Sequence, residues 1–170
     1  MKLLQLTIPS DYGCLAIVAY DSYISFVNED WELEQLKAHI INQNNKMNIV
    51  PWGCVDGNWI VNIVFSNSNT TGEREFKSNI KSSGKLLLTT YDSITMAAQY
   101  EDEKLPLEGE ENNVFEVPAS LYSVKIIQNF KTSEQESEEV FNQTEPHFTV
   151  EIIQTNNEEE PLNEIPWFSA

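Results

Sequence analysis

Arg74 is the one arginine among ten basic residues in this 170-residue chain. A single guanidinium cannot build the paired arginine clamps that grip phosphate or carboxylate groups. Histidine occurs only at positions 39 and 147. A hydrolytic triad would have to recruit one of these two as its base, and their settings read as ordinary surface or strand-end histidines. Cysteine also occurs twice, as Cys14 and Cys54, both within apolar stretches. A secreted domain of this size usually carries more, so buried thiols and a cytoplasmic location are expected. No apolar run is long enough to cross a bilayer, because Leu15–Tyr20 is halted by Asp21. The opening Met1–Gln5 lacks the apolar core of a secretory signal and reads directly into a strand. No HExxH, CxxC pair, glycine-rich phosphate loop or EF-hand spacing occurs, so no metal or cofactor is expected.

Acid is what the chain has in quantity. There are 27 Asp and Glu residues and a formal charge of −17. The distribution is skewed, since residues 101–170 hold 17 acids and 3 lysines (3 − 17 = −14), while residues 1–100 hold 10 acids and 7 bases (7 − 10 = −3). A surface of this sign repels nucleic-acid backbones and anionic membranes and attracts basic proteins. Nucleic-acid and membrane partners are therefore excluded, and a basic protein partner is expected.

Short alternating or apolar segments, punctuated by turn residues, dominate the pattern. Strands are expected at Leu3–Ile8, Cys14–Tyr20, Tyr23–Val27, Met47–Trp52, Trp59–Phe65, Arg74–Lys81, Lys85–Thr90, Ile94–Tyr100, Val114–Val117, Leu121–Phe130 and His147–Ile153. About nine or ten of these suit a mainly β fold, a two-layer antiparallel β-sandwich. Trp59–Phe65 reads as a central strand, Arg74–Lys81 as an edge, and Asp56-Gly57 as the tight connection of a hairpin. One short helix is expected near residues 29–41, with Asn28 as its cap and Leu33, Leu36 and Ile40 on one face. Lys37 and His39 would lie near its end, and its apolar stripe would lid one end of the sandwich. The domain would span residues 1–155. Residues 156–170 would form an acidic tail with the apolar end Ile165-Pro166-Trp167-Phe168.

Three acidic groups stand between strands: Glu101-Asp102-Glu103, Glu110-Glu111, and Glu134, Glu136, Glu138 and Glu139. Phe115, Phe130 and Phe141 are interleaved with them. Carboxylates beside aromatic anchors are what a fast-binding partner of a basic protein would present. The plainer reading, a solvated surface that maintains solubility, fits the same residues. Two further functions stay open: a sugar or small-ligand sandwich stacking on Trp52 and Trp59, and a small hydrolase using two converging carboxylates.

The order of several landmarks resembles one bacterial family. Trp31 opens a helical insertion, a tryptophan-bearing strand follows at Trp59–Phe65, and Val117-Pro118-Ala119-Ser120-Leu121-Tyr122-Ser123-Val124 comes late. Phe148–Ile153 then closes the domain after an acidic loop. This order is similar to the competence protein J family, whose members include inhibitors of the DNA-entry nuclease, and to related immunity-like β-sandwiches. Ser120-Leu121 departs from the glycine the family tends to carry before the tyrosine, so a different turn is expected there. The resemblance implies a β-sandwich without catalytic residues that binds a nuclease or toxin through its acidic loops.

Overall fold

The computed structural model describes residues 3–169, so Met1 and Lys2, and what the sequence suggests about them, lie outside the described residues. Side chains alternate along each strand, so the residues of one parity share a face. In β4 (Gly57–Val64), Trp59, Val61 and Ile63 turn inward. They meet Val124 and Ile126 of β8 (Ser120–Gln128) and Phe148, Val150 and Ile152 of β9 (Phe148–Gln154). With β1 (Leu3–Ser10) and β5 (Arg74–Ser82) these strands form a five-stranded sheet ordered β1-β4-β9-β8-β5. The second sheet is ordered β3-β2-β6-β7, from β3 (Ile49–Cys54), β2 (Gly13–Val18), β6 (Lys85–Thr90) and β7 (Val114–Glu116). Leu15, Ile17, Val50, Trp52, Leu86 and Leu88 are its inward contribution. Each such buried side chain stabilises the fold by about 1.5–3 kcal/mol relative to exposure.

The nine strands and two layers among the described residues agree with the sequence pattern. Among the described residues the sandwich is antiparallel at every strand pair except one: β4 and β9 run parallel, with Val61 opposite Phe148. Asp56-Gly57 is not a hairpin turn, because β3 and β4 belong to different sheets and Gly57 has no positive φ. The dipeptide is a corner between layers. Glycine is required there because a Cβ at Gly57 would lie 2.9 Å from the Trp59 ring. Ser83-Gly84 is a second such corner, joining β5 to β6.

Both faces of the smaller sheet are buried, which is why β2 and β3 are apolar throughout. On its outer face Cys14, Ala16, Val18, Ile49 and Leu87 pack against Leu36 and Ile40 of α1 (Leu33–Asn45). Ile94, Ala97 and Ala98 of α2 (Tyr91–Gln99) complete that layer. Helix α1 thus covers a sheet face rather than one end of the sandwich. It also begins and ends later than the sequence suggests. Asn28 caps a turn, accepting the Asp30 N–H at 3.1 Å, while Gln35 accepts the N–H of the helix's own cap, Glu32, at 2.9 Å. Lys37 and His39 consequently sit mid-helix, and no base lies in the last turn.

Two expected strands are absent. Ile94–Tyr100 belongs to α2, which Thr90 caps by accepting the Ser93 N–H at 3.3 Å. Ile94, Ala97 and Ala98 are spaced i, i+3, i+4, the helical repeat. Tyr23–Val27 forms no strand because helices take its polar groups. Gln43 accepts the Ile24 N–H, His39 Nε2 contacts the Ile24 carbonyl at 2.6 Å, and the Val27 N–H donates to Ala98.

The tail is docked along the seam where the edges of β3 and β5 meet. Leu162 N–H donates to Asn44 Oδ1, Gly53 N–H donates to the Pro166 carbonyl at 2.7 Å, and Ile165 is buried with the helical layer. Trp167 sits on Phe76 and under the Arg74 guanidinium, 4.4 Å from the ring centroid. Phe168 contacts Tyr91 and Lys37. Among the described residues no helix is long and apolar enough to cross a membrane.

Candidate functional site

Strand direction sorts the acidic loops. The pairs Ser10↔Gly57, Gly13↔Cys54, Leu15↔Thr90 and Gln128↔Phe148 place four connections at one end of the sandwich. These are the β1–β2 turn with Asp11 and Tyr12, the β3–β4 corner with Asp56, the start of α2 with Asp92, and the long β8–β9 loop. That loop holds a short 3-10 turn at Thr132–Glu134 and the single-turn helix α3 (Glu138–Phe141). Ser137 caps α3 by accepting the Val140 N–H at 3.2 Å, and the carboxylates of Glu138 and Glu139 complement its N-terminus. Val140 is buried in the sandwich core, fixing Glu134, Glu136, Glu138 and Glu139 on the exposed side.

Glu136 is joined to the β1–β2 turn through the Tyr12 hydroxyl, which donates to its Oε1 at 2.7 Å. That bond, then the Glu136 charge, raises the Tyr12 pKa above its ordinary value. The Asp92 carboxyl is also raised, first by partial burial and then by the charge of Asp11, with Asp56 adding to it. These shifts report several carboxylates within electrostatic reach of one another. Tyr12 and Phe141 are the exposed aromatics of this end, at 44% and 57%.

The four acids of the β8–β9 loop stand at this end, Glu110 and Glu111 lie toward it beside the smaller sheet, and the first group does neither. Glu110 and Glu111 lie beyond the end of β6, where Glu110 accepts the Thr89 hydroxyl at 2.6 Å and the Leu107 N–H at 2.8 Å. Glu110 is therefore half-buried and structural in its contacts, while Glu111 accepts the Gly109 N–H at 3.1 Å and stays exposed. Glu101, Asp102 and Glu103 follow α2 at the opposite end. There Glu101 shares a cleft with Tyr20, Asp21 and Lys104. Sequence reasoning missed Asp11, Asp56 and Asp92, which are scattered along the chain and are joined only by topology.

Other candidate chemistry changes once placed. Trp52 and Trp59 are both buried, at 0% and 2% exposure, so no stacking platform for a sugar exists there. Trp59 stacks on Phe130 at 5.5 Å and donates its Nε1–H to the Val55 carbonyl. His147 is not a surface residue but a core one. Its Nδ1 accepts the Ile60 N–H at 2.9 Å and its Nε2 donates to the Val140 carbonyl at 2.7 Å. Burial holds its pKa below the ordinary histidine value. Both cysteines are free and buried, and burial pushes the Cys54 thiol up to about 12. Two carboxylates do share a cavity in four places: Glu34 with Glu164, Glu151 with Glu159, Glu159 with Glu160, and Asp21 with Glu101. The Glu151 carboxylate is engaged by the Ser68 N–H and hydroxyl. Among the described residues no group of three or more His, Cys, Asp or Glu side chains is disposed to hold a metal ion.

The architecture defines a class: a two-sheet β-sandwich with a helical layer on its smaller sheet. Within that class the chain is similar to a solved structure described as crocagin biosynthetic gene J. The two share 15% identity and a TM-score of 0.60, over 90% of this chain and 97% of the other. It also resembles, more loosely, ComJ from Bacillus subtilis, described as an inhibitor of the DNA-degrading activity of NucA. There the identity is 10% and the TM-score 0.44, over 91% of this chain and 96% of ComJ. No family model matches the chain, and no curated protein matches it.

Proposed function

We propose that this chain is a non-enzymatic inhibitor or immunity-type protein that binds a basic effector, a nuclease or toxin, through its acidic end. The observation that carries this reading is the gathering of Asp11, Asp56, Asp92, Glu134, Glu136, Glu138 and Glu139 at one end of the sandwich. A nuclease cleft is built to attract phosphates. Carboxylates held on these connections can occupy the same field and screen the cleft from DNA. Tyr12 and Phe141, exposed at this end, supply apolar contact area beside the charges, the arrangement in which a few anchors hold most of an interface's energy. Glu101, Asp102 and Glu103, at the far end, take no part in this contact.

The test is a charge reversal. Replacing Glu134, Glu136, Glu138 and Glu139 with lysine should weaken binding to a cationic nuclease at low salt by at least about tenfold, and by less as salt screens the surface. Unchanged affinity at low salt would remove the acidic end from the mechanism.

A further inference from the structure

The outer face of the five-stranded sheet carries a feature that the acidic end does not explain. β4 finishes at one end of the sheet and β5 begins at the other, so residues 65–73 cross this face as a strap. Ser68 of the strap is fastened to Glu151 of β9, and Glu73 N–H donates to the Gln128 carbonyl. The first residues of the tail cross on the other side, where Asn79 Nδ2 donates to the Asn157 carbonyl. Between strap and tail lies a cavity of about 290 Å³. Lys77, Ser123 and Lys125 form part of its floor, with Asn67 on the strap wall and Glu159 on the tail wall.

Its floor brings two lysines together in a chain that is mostly acidic. Lys77 and Lys125 are direct cross-strand partners on one face. Two like charges in that relation repel each other. Lys125 is compensated by Glu75 at 3.4 Å, but Lys77 has no ion pair among the described residues. Glu151 is already engaged by Ser68, whereas the Glu159 carboxylate has no ion pair among the described residues. An exposed ammonium and an exposed carboxylate, neither in an ion pair among the described residues, therefore line one cavity that also holds hydroxyl and amide groups.

We propose that this cavity binds a small zwitterion, a free α-amino acid. Its carboxylate would be taken by Lys77 with the Ser123 hydroxyl, and its ammonium by Glu159. Neither an anion nor a cation alone answers both charges. A zwitterion does, and charge-assisted hydrogen bonds at each end give it orientation.

The site is separate from the acidic end, so it is tested without the effector. The full chain is titrated with the twenty free amino acids while the backbone amide resonances of Lys77, Ser123, Lys125 and Glu151 are followed. At least one amino acid should shift these amides saturably. Its N-acetyl derivative, lacking the ammonium, and its C-terminal amide, lacking the carboxylate, should each bind about tenfold more weakly. Lys77→Met and Glu159→Gln should abolish the shifts with the rest of the spectrum unchanged, and Glu136→Lys should leave them intact. No saturable shift across the panel would overturn the proposal. So would equal binding of the blocked derivatives, or shifts that survive both cavity substitutions.

Discussion

The Tyr12 hydroxyl donates to the Glu136 carboxylate at 2.7 Å across 124 positions of sequence, tying the β1–β2 turn to the loop before β9. The bond holds an exposed acidic segment against a second exposed turn, so the surface is set before any partner arrives. A preorganised surface loses less conformational freedom on binding. Replacing Tyr12 with Phe keeps the ring and removes the bond. Amide hydrogen exchange across residues 131–137 should quicken, while exchange in β4, β8 and β9 should not change.

Glu110 is an acid with a structural role. Its two oxygens hold Thr89 and Leu107, folding the segment between α2 and β7 against the sheet. Glu110→Ala should lower stability by about 1–3 kcal/mol, as expected when half-buried donors lose a charged acceptor. Chemical denaturation checks this, and Glu101→Ala, at an exposed position without such bonds, serves as the control.

Gly53 is where the tail meets the sheet. A Cβ there would lie 1.7 Å from the Trp167 carbonyl oxygen, a position no relaxation of a flexible side chain can relieve because the obstacle is backbone. Gly53→Ala should release residues 162–169 and expose Ile165 and Trp167. Limited proteolysis should then clip the tail in the variant while the native chain resists, and Trp167 fluorescence should shift to longer wavelength.

His147 makes stability depend on pH. In the folded chain its Nδ1 accepts a hydrogen bond and burial lowers its pKa, so the folded state resists protonation. The unfolded chain titrates near 6.5, the ordinary value. As pH falls below that point the unfolded state takes up a proton that the folded state does not, and stability drops; above it the full stability is present. His39, also lowered chiefly by burial, acts in the same direction. Unfolding free energies measured between pH 7 and the onset of carboxylate titration should fall in the native chain. The fall should be shallower in His147→Gln, which should also be less stable throughout.

Most of the sheet architecture was legible in the sequence, since alternation in Trp59–Val64 and Tyr122–Ile126 marks inward faces directly. The helix α2 was not. Ile94 and the alanine pair 97–98 are too short a pattern to separate from a weak strand until Thr90 is seen as a cap. The Asp56-Gly57 corner misled for a related reason: the dipeptide signals a reversal of the chain but not whether the next strand joins the same sheet. His147 was unreadable because Ile60 reaches it only through the parallel pairing of β4 with β9, and Val140 only through the folding of the β8–β9 loop. At the candidate site the acids of the β8–β9 loop were recognisable by composition. Their neighbours Asp11, Asp56 and Asp92 come together only through strand direction, which also sends Glu101–Glu103 to the opposite end.

The most direct test of the account is a pull-down from native host lysate at low and at high salt, using three baits. These are the native chain, the lysine variant at Glu134, Glu136, Glu138 and Glu139, and a lysine variant at Glu101, Asp102 and Glu103. The account predicts that the native chain and the far-end variant recover the same basic nuclease or toxin at low salt, that high salt reduces its capture, and that the acidic-end variant fails to recover it. Recovery of that partner by the acidic-end variant at native levels, or recovery of no basic effector by any bait, would contradict it.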